Sequence, residues 1–320
     1  NDSGGSSRCR KFFSYRTSAD RRLIRDDVKV SGLRLSSVII GTGRPFLFLH
    51  GLCGNAEQSI ELRPEVSDWQ FLALESRGHG HSDIGDPASL SICQFAEDAA
   101  AYLHKLGSAP AVIGGISMGA AIALRLAVMQ PELVCGLILA RPAWVDRLAP
   151  ANLAPYRWIA ELITAHDIKE ARQIFEATEM AATLASISPD NLNSLLSLFE
   201  RRPLKQTQAL LTSIAHDGPG ISCDAISNID VPTLVVGTSR DPVHPLAIAE
   251  KLVKLIKCAS LIEITSNSAI ACYPYIGKNE KILADKAATD VMRDMLNKLN
   301  INGEVVIGEG ELDEAPMLYI

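Results

Sequence analysis

The sequence predicts an α/β protein with a doubly wound, mostly parallel sheet and a helical cap inserted late in it. Three observations lead there. Short apolar runs alternate with helix-period segments from residue 28 to 140, the pattern of a parallel sheet covered by helices on both faces. That rhythm breaks over 141–216, which is helical and has no strand pattern, and resumes over 217–268. With 47% hydrophobic and 21% charged residues in 320, the chain has the makings of a globular protein able to bury such a core.

Each element has its own signal. Residues 1–27 are locally basic and poor in apolar residues, and are expected to form a flexible leader; they lack the apolar core of a signal peptide. "VKVSGLRLSSVIIGTG" (28–43) reads as a hairpin, and "PFLFLHG" (45–51) as a buried strand ending in a Gly turn. "WQFLALESRGHGHSD" (69–83) is a strand followed by a polar, glycine-rich loop. The next segment is a helix: Ser91 can cap it, apolar residues recur at Ile92, Phe95, Ala96, Ala99, Leu103 and Leu106, and Gly107 ends it. "AVIGG", a helix to about Gln130 and the strand "GLILA" (136–140) follow. The cap, 141–216, holds all but one of the tryptophans. The sheet resumes with "PTLVVGTSRD" (232–241), a helix near 246–257 and "SLIEIT" (260–265).

Several classes are disfavoured. A net charge of −6 gives no reason to expect nucleic acid as a partner. The longest uncharged run, 109–124, is too short for a bilayer span and has a Gly-Gly pair and a Ser at its centre, so no membrane association is expected. Seven scattered cysteines, an odd number with no CxxC pair, argue against a disulfide framework or zinc site and favour a reducing cytoplasm. The chain begins without Met and stops at "MLYI", so both ends are expected to be incomplete.

Gly115-Ile116-Ser117-Met118-Gly119 fits G-x-S-x-G, whose glycines allow a tight strand-to-helix turn presenting a serine oxygen at the sheet edge. The pattern alone also fits an ordinary small-residue turn. Its context, a buried strand before it and an Ala-rich helix after it, is what the motif requires. "HGLCG" (50–54) ends an earlier strand, "ESRGHGHSD" forms a loop, and "GTSRDPVHP" (237–245) places Asp241 at the lip of a later strand. In these ordered motifs the chain, over about 28–268, resembles the α/β-hydrolase superfamily. The resemblance implies that Ser117 is the nucleophile, that the N–H groups of Leu52 and Met118 form an oxyanion hole, and that Asp241 is the acid that orients a histidine. A serine nucleophile argues against the branches of the superfamily that attack with Asp, and implies acyl transfer to water.

The histidine is missing from its family position, which falls near Ala269 in "EITSNSAIACYPYIG". Serine needs a base to take its proton. Of the seven histidines, His104 is expected to be solvated, His50 to shape its loop, and His79 and His81 to serve a structural loop. Nothing singles out His166 or His216, both in the cap. His244 stands three residues after Asp241 in the same loop and is the substitute base of choice. The competing reading is a loop histidine that packs against the cap or lines the pocket.

From about Ala269 the sequence resembles the N-terminal part of class II fructose-1,6-bisphosphatases, most specifically in "GEGELDEAPMLY". The resemblance implies carboxylates that hold a divalent metal beside a sugar phosphate; the matching positions here are Lys281, Asp285 and Glu309, only the last two of them acids, and the later acidic motif that completes the cluster is not in the sequence. No metal is therefore expected. "SNSAIACYP" reads as a junction, and a gene fusion or assembly error explains it better than an evolved bifunctional enzyme. The spacing of Ala284, Ala287, Ala288, Val291, Met292, Met295, Leu296 and Leu299 predicts an amphipathic helix in this tail (269–320).

The functional expectation is a cytoplasmic serine hydrolase of carboxylic esters, or of thioesters or lactones, acting through an acyl-enzyme on Ser117 and slowed by the loss of the usual histidine, with no cofactor and a small-molecule ester as its partner. Trp144, Tyr156 and Trp158 suggest a partly apolar substrate group, with plain packing as the alternative. Two rivals stay open: a catalytically silent ligand-binding module that keeps the pocket without a competent base, and a metal-dependent sugar phosphatase. The distance from His244 to Ser117 discriminates between enzyme and silent binder.

Overall fold

The structure, a computed structural model, describes residues 23–61 and 68–263, with Leu283, Lys286 and Ala287. Most of the expected tail helix and the positions of Ala269, Lys281, Asp285 and Glu309 lie outside the described residues. Among the described residues, eight strands form one sheet: β1 (Leu23–Val30), β2 (Leu33–Ile40), β3 (Arg44–Leu49), β4 (Trp69–Leu74), β5 (Ala111–Ile116), β6 (Val134–Ala140), β7 (Thr233–Gly237) and β8 (Ala259–Glu263). Their order is β1-β2-β4-β3-β5-β6-β7-β8, with β1 and β2 antiparallel to their neighbours and the rest parallel. The expected α/β class and mostly parallel sheet are both present.

One boundary differs from the expectation. β1 begins at Leu23, inside the segment assigned to the leader. Leu23 to Asp27 are all exposed, so they carry no apolar alternation to read; backbone pairing with Ile40 to Ser36 makes them a strand.

The helices that flank the sheet are α1 (Ala56–Glu61), α2 (Ile92–Leu106) and α3 (Met118–Met129). In α2 the Ser91 side chain accepts the N–H of Gln94, and Gly107, at φ 62°, closes the far end in the left-handed conformation. The apolar stripe of α2 and nearly the whole of α3 are buried in the main core with Leu47, Leu49, Leu72, Leu74 and Ile113. The absence of a polar face on α3 follows from its central place beside α2 and strands β3, β5 and β6.

Between β6 and β7 the chain forms α4 (Ala154–Ala165), α5 (Ile168–Glu176), α6 (Glu179–Ile187), α7 (Pro189–Ser197), α8 (Leu204–Ile214) and the short α9 (Cys223–Ser227). The first five have a second core of their own, around Ile159, Leu162, Phe175, Leu195, Phe199 and Leu211. Leu52, Cys53 and Tyr156 pack against both cores and join the insertion to the sheet. After β7, α10 (Leu246–Leu255) leads to β8. A buried ion pair, Arg77 to Asp98 with two contacts of 2.7 Å, ties the loop after β4 to α2.

Candidate active site

The strand order fixes where a site can form. β3 has β4 on one side and β5 on the other, so the chain reverses its direction of travel across the sheet at β3. A crevice opens beyond the carboxyl ends of strands at such a switch. The loop after β3 and the turn after β5 both end there.

Ser117 occupies the β5–α3 turn at φ 55°, ψ −110°, in the region that side-chain-bearing residues avoid. The turn is held from both sides. Its N–H donates to Ala140 O at 3.0 Å, and its carbonyl accepts from Ala120 and Ala121 at 3.1 and 3.2 Å. The flanking glycines are required by close approach. A Cβ on Gly115 would fall 2.2 Å from the carbonyl carbon of Gly119, and one on Gly119 would fall 2.0 Å from Leu49 O. Nothing larger fits.

The loop at 50–54 lies against this serine: a Cβ on Gly51 would sit 3.7 Å from that of Ser117. His50 is buried and shapes the loop. Its Nδ1–H donates to Gly51 O (2.8 Å) and its Nε2 accepts the Ser76 N–H (3.1 Å), so the ring is neutral and fully used. Gly51 N–H donates to Gln58 Oε1 at 2.7 Å, and Cys53 takes a left-handed φ of 62°. Among the described residues no acceptor takes up the N–H of Leu52 or of Met118, the first residue of α3. Free N–H groups at a helix start carry partial positive charge.

Asp241 and His244 follow β7. His244 Nε2 lies 2.8 Å from Ser117 Oγ, and its Nδ1 lies 3.1 and 3.0 Å from the two oxygens of Asp241. An ionised carboxylate can only accept, so the Nδ1 facing it carries the proton, and Nε2 is left with a lone pair aimed at the serine hydroxyl. Both side chains are buried, His244 at 7% and Asp241 at 1% exposure. Burial pushes the His244 pKa below its ordinary value; Asp241 opposes that shift and Arg141 adds to it. Burial alone would raise Asp241. Hydrogen bonding and charge from His244, the Arg141 guanidinium and the Asn191 amide outweigh it and hold the acid well below the usual carboxylate range.

The other histidines are elsewhere. His79 is buried beside His50, the two rings tilted by 46° with centroids 4.8 Å apart. His81 lies beside Arg25 and Glu75, His166 beside Glu170, and His216 donates to Thr212 O. His104 is exposed on α2. Trp144 is packed in the main core with its Nε1–H on Asp217 O (2.9 Å), so packing is its role; Trp158 is partly exposed. Two residues that the sequence did not single out stand beside Asp241. Arg141 contacts Asp241 Oδ2 through Nε at 2.7 Å and Nη2 at 2.6 Å, and Asn191 Nδ2 donates to Oδ1 at 2.6 Å.

A family model described as the alpha/beta hydrolase fold matches residues 44–269. The chain belongs to that family. Among solved structures this α/β hydrolase is similar to a hydrolase from Pseudomonas aeruginosa PA01, with 20% identity and a TM-score of 0.59 over 76% of this chain and 90% of that one. It is also similar to a thermophilic esterase from Thermogutta terrifontis, with 22% identity and a TM-score of 0.58 over 76% and 89%. At those identities the likeness is one of fold.

A second model, described as bacterial fructose-1,6-bisphosphatase, matches residues 256–320. There the chain is 56% identical over 57 residues to fructose-1,6-bisphosphatase 1 class 2 of Escherichia coli (strain K12), covering 18% of this chain and 17% of that protein. The chain thus carries segments of two families, as its motifs predict, and spans about a sixth of the bisphosphatases it matches. Among the described residues no cluster of His, Cys, Asp and Glu could hold a metal ion, and no helix is long and apolar enough to cross a membrane.

Proposed function

We propose that this α/β hydrolase cleaves carboxylic esters, with thioesters or lactones as the alternative substrate class, through an acyl-enzyme on Ser117. The observation that carries the reading is the 2.8 Å contact between His244 Nε2 and Ser117 Oγ, with Asp241 behind the ring. Ser117 Oγ attacks the carbonyl carbon as His244 Nε2 takes its proton. The negative charge that develops on the carbonyl oxygen meets the free N–H groups of Leu52 and Met118. The intermediate collapses, the C–O bond to the alcohol breaks, and the imidazolium returns the proton to the leaving oxygen. Water, deprotonated by His244, then attacks the acyl carbon and releases the acid and free Ser117. No cofactor enters this scheme.

His244 here does what a histidine near position 269 would otherwise do. The same contact favours the enzyme over the silent binding module, since a competent base within hydrogen-bond reach is what the module would lack. The esterase named among the similar structures agrees in reaction class. The bisphosphatase match covers only 18% of this chain and 17% of that protein, which leaves the phosphatase reading the weaker one.

Pre-steady-state kinetics with p-nitrophenyl acetate test the reading. The expected result is a burst of p-nitrophenol approaching one equivalent per folded chain, absent in Ser117→Ala. Turnover that persists in Ser117→Ala at the parental rate would rule it out.

A further inference from the structure

We propose that Arg141 and Asn191 are positioning residues for the Asp241–His244 pair, and that through Asn191 the cap holds the base in line with Ser117. The proposal rests on the reading of Ser117, His244 and Asp241 as nucleophile, base and acid.

Acid and base lie in one turn, and His244 N–H returns to Asp241 Oδ1 at 2.9 Å. The two therefore move as one body, and no independent loop fixes the ring. Its aim depends on what grips the far side of the carboxylate. Arg141 grips Oδ2 through Nε and Nη2, and its Nη2 also donates to Asn191 Oδ1 at 2.9 Å. Asn191 Nδ2 completes the triangle on Asp241 Oδ1. With the two His244 donors, the carboxylate meets five N–H groups, so neither oxygen can turn without losing charge-assisted bonds.

The anchors come from different layers. Arg141 directly follows β6, has a left-handed φ of 43°, and donates its N–H to Val236 O of β7 at 2.7 Å, so its backbone belongs to the sheet. Asn191 is on α7 of the cap and only 4% exposed. A buried Asn with both ends of its amide committed to a charged pair is unusual on a helix that otherwise buries Leu195 against its neighbours. A displaced cap would withdraw the amide and leave Asp241 Oδ1 short of a donor.

Arg141 also has an electrostatic part. Its cation opposes protonation of His244, whereas Asp241 favours it. Among the described residues, Tyr156 on α4 also feels Asp241 and Arg141, and burial first of all holds its hydroxyl neutral. The acidic limb of kcat/KM therefore reports His244.

The test uses the full chain with p-nitrophenyl acetate, with rates expressed per site titrated by a phosphonate. Asn191→Ala should lower kcat roughly 10- to 100-fold with KM little changed, the value of a hydrogen bond to a charged group. Arg141→Met should move the acidic limb to higher pH, and Arg141→Lys should lower kcat while leaving the limb in place. Asn191→Ser serves if the alanine variant does not fold. Parental kcat per titrated site in Asn191→Ala or Asn191→Ser, or an unmoved limb in Arg141→Met, would overturn the proposal, because stapling the cap alone changes only the number of folded sites. A parental rate in His244→Ala would instead bring down the underlying reading.

Discussion

Replacing His244 by alanine removes the group proposed to receive the Ser117 proton while leaving the turn and its anchors intact. The ring contributes one contact to Ser117 Oγ at 2.8 Å and two to Asp241, which keeps its Arg141 and Asn191 donors when the ring is gone. The fold should therefore survive, and circular dichroism can verify that it does. Loss of general-base catalysis costs about 10²- to 10⁴-fold, or roughly 3–5 kcal/mol in the barrier. The pH profile gives an independent check. Only neutral imidazole can take the proton, and burial sets the His244 pKa below the ordinary 6.5, so kcat/KM in the parent should rise with pH through a midpoint below 6.5 and then level. At pH 7 that places more than about three-quarters of the sites in the active form. The assay is hydrolysis of p-nitrophenyl acetate from pH 4.5 to 8.5 for parent and variant. His244→Ala should lose both the rate and the acidic limb. A variant that keeps the parental rate, or a parent whose midpoint lies well above 6.5, would refute the assignment.

Three further outcomes are expected. His50 and His79 are buried and neutral, with pKa values lowered first by burial; the unfolded chain binds more protons below 6.5, so their stability contribution is full above that pH and falls as pH drops below it, by at most about 1.4 kcal/mol per pH unit for each. His79→Leu, which also removes a buried Nε2 without a partner, should flatten the fall in Tm between pH 6.5 and 5; an unchanged slope would contradict this. Gly119→Ala, whose Cβ would lie 2.0 Å from Leu49 O, should abolish folding or cost several kcal/mol in urea denaturation, whereas Gly107→Ala, with open space around a left-handed φ of 62°, should cost only about 1–2 kcal/mol. Magnesium or manganese should confer no fructose-1,6-bisphosphatase activity, given that the matching segment spans 17% of that protein; metal-dependent phosphate release abolished by Glu309→Ala would show otherwise.

Much of the sheet was legible because its signals are local. Ser91 and Gly107 bound a helix with a regular apolar stripe, and the glycines of 115–119 announce a turn too tight for side chains. The start of β1 was not, since Leu23 to Asp27 pair by backbone alone and expose every side chain. At the candidate site, Asp241 and His244 sit close enough in sequence to be weighed together, yet only the fold brings them to Ser117 from across the sheet. Arg141 and Asn191 were invisible for a related reason. They are 50 residues apart, follow no motif spacing, and are residue types usually found on surfaces; their meaning comes from converging on one carboxylate. Trp144 follows the plainer of its two sequence readings, packing rather than ligand contact, since its ring is buried in the main core.

The measurement closest to the central claim is the site of covalent capture. After incubation with a serine-directed fluorophosphonate, peptide mass spectrometry should find the adduct on Ser117, at the strained turn beside His244 Nε2. His244→Ala should slow its formation by a factor of order hundreds. Labelling of a different serine that continues unchanged in Ser117→Ala would contradict the assignment of this turn as the nucleophile's seat.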